Sequence, residues 1–357
     1  MSYLTIYLIL FILISIQITV ETIRNNKYIN YKPKNHINKP IDTNLTIDEI
    51  KNNLSPDIFK KDLNKSIFYT VRDFVMIFLV YNIFQNLNIY NVIKLPIHAF
   101  IQGTLGLSLW CIAHDCGHGG FSDYKNVNFV IGLISNSVIL VPYYPWRLTH
   151  KNHHKHTCDI DKDEVHFPEK KIYPFENYFK LIFGWLVYCY IGNGSRNNYS
   201  VIDINNPLFK NDFYKCLVSY LTILGFIVLL VKFMGIGFII KYYLPSVFVT
   251  YIWIVFITLL HHMDESTVWK ANPKNINGII ESVDRNYGFF HNIIHNIGTH
   301  QVHHLCPQIP HYNLPKATYQ FRKKFPQLCK MSTKNPIKDF ITLTNKEEKN
   351  KKLFKED

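Results

Sequence analysis

The sequence predicts an all-α integral membrane protein: four core transmembrane helices in two hairpins, accompanied by interfacial helices and an additional N-terminal anchor helix. Apolar runs of about 17 to 20 residues, the length a helix needs to cross a hydrocarbon core of roughly 30 Å, alternate with stretches crowded with Lys, His and Asn. The 39 Lys plus Arg outnumber the 26 Asp plus Glu. They gather at residues 60–72, 147–171 and 316–324, as positive-inside bias requires if all three stretches share the cytosolic side. This profile excludes disordered, collagenous and small disulfide-scaffold classes. It also excludes a nucleic-acid reader, which is not built from bilayer-length runs. The seven cysteines include no CxxC pair, so neither a disulfide framework nor a zinc ribbon is expected.

Residues 3–20 carry no charge, nothing basic precedes them, and Arg24, Lys27, Lys32, Lys34 and Lys39 follow. That charge order suits a retained anchor with a cytosolic C-terminal side better than a cleaved signal peptide. Organelle targeting is the alternative, since residues 22–41 contain no acid. The polar remainder of residues 1–44 reads as a linker. The next spans, 74–90 and 95–113, turn around Asn91 and Lys94, and the last two, 215–234 and 242–260, turn at Lys232 to Lys241. Two weaker stretches are interrupted, 127–145 by Asn136, Pro142 and Pro145, and 175–192 by Glu176 and Lys180. Had only one of them spanned, residues 114–126 and 291–325 would face opposite sides, so both read as interfacial or re-entrant. One catalytic-scale domain then covers residues 45–330, and residues 331–357 form a Lys-rich tail.

Histidine is the informative residue. His114 and His118 stand at i and i+4; His150, His153 and His154, like His300, His303 and His304, stand at i, i+3 and i+4. On a helix each set shares one face. With 17 His in the chain, about 0.04 HxxHH patterns are expected by chance, and two are present. Eight imidazoles exceed what one tetrahedral zinc accepts and point to two metals in a His-rich cytosolic cap. Imidazole suits iron, copper, nickel and zinc; a membrane-surface site with open coordination positions favours iron activating O₂ beside a lipid. His295 and one of His261 and His262 are further ligand candidates, ahead of His156, His166 and His311. His295 can join only if the backbone breaks near Gly298. Asp115, Asp159, Asp161, Asp163 and Glu164 stand where a carboxylate could accept the second N–H of a ligating imidazole.

Three segments, HDCGHGGFSDY (114–124), PWRLTHKNHHKHT (145–157) and VDRNYGFFHNIIHNIGTHQVHHLCPQIPHYNLPKAT (283–318), resemble the histidine boxes of the membrane fatty acid desaturases. The closest likeness is to methyl-end acyl-lipid enzymes, omega-6 and omega-3. LTIDEIKNNLSP (45–56) and FYTVRDF (68–74) are similar to that family's entry region. HDCGHG in the first box and HNIGTHQVHHLCPQIPHY in the third resemble the omega-3 subgroup. His156, Cys306, the N-terminal apolar segment and the short Asn-rich connection at 193–213 depart from the family pattern.

The resemblance implies a cis double bond introduced toward the methyl end of an 18-carbon acyl lipid, with two irons, O₂ and external electrons. The irons would be held by the eight box histidines, with no side chain needed as general base. A narrow apolar tunnel would place the acyl chain, and Trp110, Phe121, Tyr143, Tyr144, Trp146 and Trp185 are the candidates to line it. The chain has neither a Gly-rich dinucleotide fingerprint nor a haem-attachment motif, so electrons come from a carrier such as cytochrome b5 or ferredoxin, drawn to the basic faces at 147–155 and 316–324. The endoplasmic reticulum is the expected location, a plastid-type membrane the alternative. A delta-12 (omega-6) desaturase, a hydroxylase, an acetylenase or a carotenoid-modifying enzyme would use the same boxes. A metal transporter would want ionisable groups deep in its spans, where His98 stands alone. A haem-binding electron carrier would have no use for HxxHH clusters.

Overall fold

A computed structural model describes residues 2–33, 45–159, 161–163, 175–192, 200–264, 267, 269 and 280–350, without the side chains of 176–177 and 346–350. Glu164 and His166 lie outside the described residues. Among the described residues, four apolar helical stretches are long enough to cross a bilayer: Tyr3–Ile29, Leu63–Asn86, Asn91–His118 and Pro207–His262.

Helix α1 (Tyr3–Ile29) starts at Ser2, whose side chain accepts from the Thr5 N–H. It runs beyond the expected 3–20 span because residues 21–29 hold no helix breaker and have partners on the body of the protein. Glu21 accepts from the Tyr69 hydroxyl at 2.9 Å, and its carboxylate is 3.8 Å from Arg72. Asn25 donates to Asn292 at 2.8 Å, and Arg322 donates to the carbonyls of Ile29 and Tyr31.

Helix α2 (Ile47–Asn53) opens with a reciprocal Thr46–Glu49 capping box, which satisfies two otherwise orphaned N–H groups. Asp62 caps α3 (Leu63–Asn86). This helix begins eleven residues ahead of the expected span, since its first polar turns pack against the rest of the protein and not against lipid. It returns as α4 (Asn91–His118), tied back where Gln102 donates to the Ile77 carbonyl at 2.9 Å. The second hairpin is α8 (Phe213–Phe238) and α9 (Leu244–His262). Gly235 breaks the helix at φ 78° and ψ 160°, a left-handed conformation that a side chain would strain. Phe226 of α8 consequently meets Tyr243 at the start of α9. Helices α4 and α9 lie side by side, with Thr250 Oγ1 donating to the Gly103 carbonyl at 3.0 Å and Trp253 Nε1 to Thr104 at 3.0 Å.

The two weak apolar stretches form α5 (Lys125–Ser137) with the start of α6 (Tyr143–Lys155), and α7 (Glu176–Leu186) with a wider turn at Val187–Ile191. Thirteen helical residues extend about 20 Å, too short to cross the hydrocarbon core. Leu13, Leu224 and Phe233 are more than half exposed. Apolar side chains so arranged on long helices are covered by lipid.

The polar end is a second apolar cluster. Ile50, Ile58, Val302, Leu305, Leu314 and Phe321 are buried together, uniting α2 with α11 (His300–Leu305) and α12 (Leu314–Lys324) in one cap, while the short α10 (Phe290–Ile293) packs on α1 and α4. A two-residue parallel pair, Asp284–Arg285 with Met331–Ser332, and α13 (Pro336–Asn350) close it. Gly298 makes the approach to α11 possible: its carbonyl accepts from Arg285 N–H at 2.8 Å, and a Cβ there would run into the Arg285 carbonyl oxygen. We expect Gly298→Ala to destabilise the protein by about 1–3 kcal/mol and to lower metal content by displacing His300. Unchanged melting temperature and metal stoichiometry would contradict this.

Candidate metal centre

The C-terminal ends of α4 and α9, helix α6 and the short α11 bring their imidazoles to one place. His114 and His118 end α4, a full turn apart on one face, and α6 and α11 present their triads as the i, i+3, i+4 spacing requires. His114, His118, His150, His154 and His303 form one group whose donor atoms lie within 4.8 Å of one another, and His153, His262 and His304 form a second. His300 joins the second group, with its Nε2 3.2 Å from that of His262 and 2.9 Å from that of His304. The groups are adjacent: His154 stacks on His304 at 4.1 Å between ring centroids. Each triad is split, His303 going to the first group while His300 and His304 go to the second.

The donor chemistry fits two metals. The His153–His262, His154–His150 and His303–His154 Nε2 pairs stand 3.1–3.2 Å apart. Both ring nitrogens of His114, and Nε2 of His118, are buried without a protein hydrogen-bond partner. Facing lone pairs repel unless a cation lies between them, and buried polar atoms need a partner. Burial holds His150, His154, His300, His303 and His304 well below the ordinary imidazole value. Each is therefore neutral at pH 7, with a lone pair to offer.

The same shifts set a pH dependence. Because the folded-state values lie below the unfolded value near 6.5, these histidines leave stability intact above that pH and subtract from it below, as the unfolded chain takes up protons. Each costs up to about 1.4 kcal/mol per pH unit. The melting temperature of the purified chain should be flat between pH 7 and 8 and fall steeply from 6.5 to 5.5. A flat profile through that lower window would contradict neutral, buried imidazoles.

Of the carboxylates, Asp163 reaches the site. Its oxygens are 2.8 and 3.0 Å from His153 Nδ1, which puts the proton on Nδ1 and aims the Nε2 lone pair at the second group. Asp163→Asn should weaken metal affinity by roughly 10–100-fold, measured by competition with a chelator. Asp115 points away: its Oδ2 accepts from both the backbone N–H and Nδ1 of His311, each at 2.9 Å. Asp161 is exposed, and Asp159 accepts from the Asp161 N–H. His295 is not brought to either group. Left-handed backbone at His295 and Asn296 (φ 53° and 59°) turns its ring to Asp73, 2.6 Å away, and burial pulls it down to about 4. The backbone does break ahead of His300, but it directs this side chain elsewhere.

A cavity of about 30 Å³ beside the imidazoles is lined by Trp110, Trp146 and Trp185 with Ile257, Thr258 and Ile297. Trp110 stacks on His114 and Trp146 on His150, at 5.1 and 5.0 Å. Phe121, Tyr143 and Tyr144 do not line it. Phe121 is core, its carbonyl accepting from Ser66; Tyr143 donates to the Asn128 carbonyl; Tyr144 packs with Phe209 and Cys216. Two contacts were not foreseen from sequence. Thr157, one helical turn past His153, lies 3.0 Å from His304 Nδ1, and Tyr287 lies 3.0 Å from His261 Nε2.

The sequence profile of the fatty acid desaturase family matches residues 93–333, more than half of the chain and all three histidine segments. The chain belongs to the fatty acid desaturase family. It is thus an oxidoreductase embedded in a membrane. It is 34% identical over 266 residues to an sn-1 acyl-lipid omega-3 desaturase (ferredoxin) of Nostoc sp., covering 71% of this chain and 73% of the relative. It is 34% identical over 289 residues to an endoplasmic reticulum omega-3 fatty acid desaturase of Nicotiana tabacum, covering 76% and 75%. A Delta(12) fatty acid desaturase of Calendula officinalis is 30% identical over 313 residues, covering 78% and 81%.

Proposed function

We propose that this desaturase introduces an omega-3 cis double bond into an 18-carbon acyl lipid, at a di-iron centre held by His114, His118, His150, His154 and His303 on one side and His153, His262, His300 and His304 on the other. The observation that carries it is the convergence of nine imidazoles into two adjacent groups beside an apolar cavity. Iron bound there would supply the O₂-dependent oxidation, in which the two hydrogens taken from adjacent methylenes join O₂, two electrons and two protons to give two waters. The protein's share is position and dryness. Asp163 and Thr157 orient His153 and His304, the stacked Trp110 and Trp146 fix His114 and His150, and Ile257 and Ile297 keep the cavity apolar. A methylene has no polar handle, so selection rests on how far the chain threads past the metals. A volume near that of one water means the lining side chains move apart to admit it.

The Nostoc and Nicotiana relatives favour omega-3 chemistry, and the Calendula relative makes delta-12 desaturation the second reading. The Nostoc relative suggests a ferredoxin as donor and the Nicotiana relative the endoplasmic reticulum as location; cytochrome b5 and a plastid-type membrane are the alternatives. The test is expression in yeast fed linoleic or oleic acid, with fatty acids read by mass spectrometry. An omega-3 product from linoleate supports the proposal. Conversion of oleate to linoleate alone replaces it with delta-12 activity, and a hydroxylated or acetylenic product replaces desaturation itself.

A further inference from the structure

A cavity of about 540 Å³ opens between the end of α1, the Asp284–Arg285 strand and residues 331–336, with Tyr287, Gly298 and Thr299 in its wall. Thr299 precedes His300, so this is the face of the cap beside the second imidazole group. The acid in that wall, Asp284, is buried and paired with Arg322 at 2.7 Å. Lys32 and Lys334 are exposed in it. Lys334 lies 3.8 Å from Asp339, a buried carboxylate already engaged by Arg285. The lining thus carries four basic side chains, Lys32, Arg285, Arg322 and Lys334, to one acid, Asp284.

From this cavity one contiguous path leads inward. Tyr287 forms part of the wall, its hydroxyl is 3.0 Å from His261 Nε2, and the His261 ring stacks on His300 at 4.0 Å and 25°. His261 belongs to neither metal group, yet it is fully enclosed and touches the second one. Two contacts therefore join a basic, concave surface to His300. A carrier protein too large to enter the site must deliver electrons through packed atoms, and such transfer weakens exponentially with distance.

We infer that this cavity is the docking site of an acidic one-electron carrier protein, and that Tyr287 and His261 conduct its electrons to the metal at His300. The inference rests on the desaturase reading for its need of electrons. Each transfer oxidises one carrier and reduces one Fe³⁺ to Fe²⁺, with no bond made or broken, so a turnover uses two reduced carriers. Lys32 and Lys334 steer the encounter, and salt screens it.

The test uses the full-length, iron-loaded chain in lipid nanodiscs, with a plant-type [2Fe–2S] ferredoxin and the soluble domain of cytochrome b5 as probes. Reversing both charges (Lys32→Glu with Lys334→Glu) should weaken binding of the acidic probe at least tenfold at low salt and much less at high salt. Lys151→Glu with Lys155→Glu, on the exposed face of α6, should leave that binding unchanged. Tyr287→Leu should retain iron and probe affinity while slowing anaerobic reduction of the iron by the probe at least tenfold, with reduction by dithionite unaffected. Binding unmoved by the Lys32/Lys334 reversal, or moved by the Lys151/Lys155 reversal instead, overturns the docking site. Wild-type reduction rates in Tyr287→Leu overturn the path; should that variant lose iron, Tyr287→Phe, which keeps the ring packed but removes the hydroxyl that meets His261, must reduce more slowly than wild type or the path falls. Fatty acid products in yeast report separately on the desaturase reading, so either can fail alone.

Discussion

His303→Ala should abolish double-bond formation and lower iron content toward one per chain. His303 leaves its own triad to join the first imidazole group, with Nε2 3.2 Å from that of His154 and ring centroids 4.4 Å from His114 and 5.0 Å from His118. It is thereby the point at which the third histidine segment closes a site otherwise built by α4 and α6. Loss of an outer-sphere partner alone costs roughly 10–100-fold in metal affinity or activity, so loss of a ligand should exceed that. The check is mass spectrometry of fatty acids beside elemental analysis of purified protein. Full iron with no product would place His303 in catalysis and not in metal binding; full iron with normal product would remove it from the site.

The second large effect is on stability. Arg285 is buried, donating to the carbonyls of Leu260 and Met263 at 2.6 and 2.7 Å and pairing with Asp339. It thus satisfies the C-terminal carbonyls of α9, the very turn that carries His261 and His262. Arg285→Met leaves those carbonyls without their donor and the buried Asp339 carboxylate with only the Ser332 hydroxyl and the more distant Lys334, which should cost about 3–5 kcal/mol. Arg285→Met with Asp339→Leu removes the stranded charge as well and should recover a large part of the loss. Thermal melts of the two variants in the same detergent decide it. A double variant no more stable than the single would show that the α9 carbonyls, and not the carboxylate, dominate.

Much of this was legible in the sequence because it is local. A run of apolar residues near bilayer length makes a spanning helix wherever it sits, and the interruptions at Asn136, Pro142 and Pro145 and at Glu176 and Lys180, with the shared side of the basic stretches, marked residues 127–145 and 175–192 as non-spanning. Histidines at i, i+3 and i+4 share a face without help from the rest of the chain. The early start of α3 and the long α1 escaped because their polar turns are helical by virtue of partners far away in sequence: Glu21 meets Arg72, and Arg322 meets Ile29. Asp163, ten residues from His153, could be suspected from its proximity to the second cluster, but not distinguished from Asp161, since a loop sends one inward and the other to solvent.

By itself, then, the sequence determined the class of protein, the donor type and the number of imidazoles that share helical faces, all consequences of hydrophobicity and helical period. The tertiary structure alone decided which imidazoles stand together. His303 parts from His300 and His304, His262 is recruited from the end of α9, and His295 is turned to Asp73. The reason is that a metal group is assembled from helices distant in sequence, and the crossing of α4, α6, α9 and α11 sets which ring faces which. Spacing along one helix carries no information about that crossing.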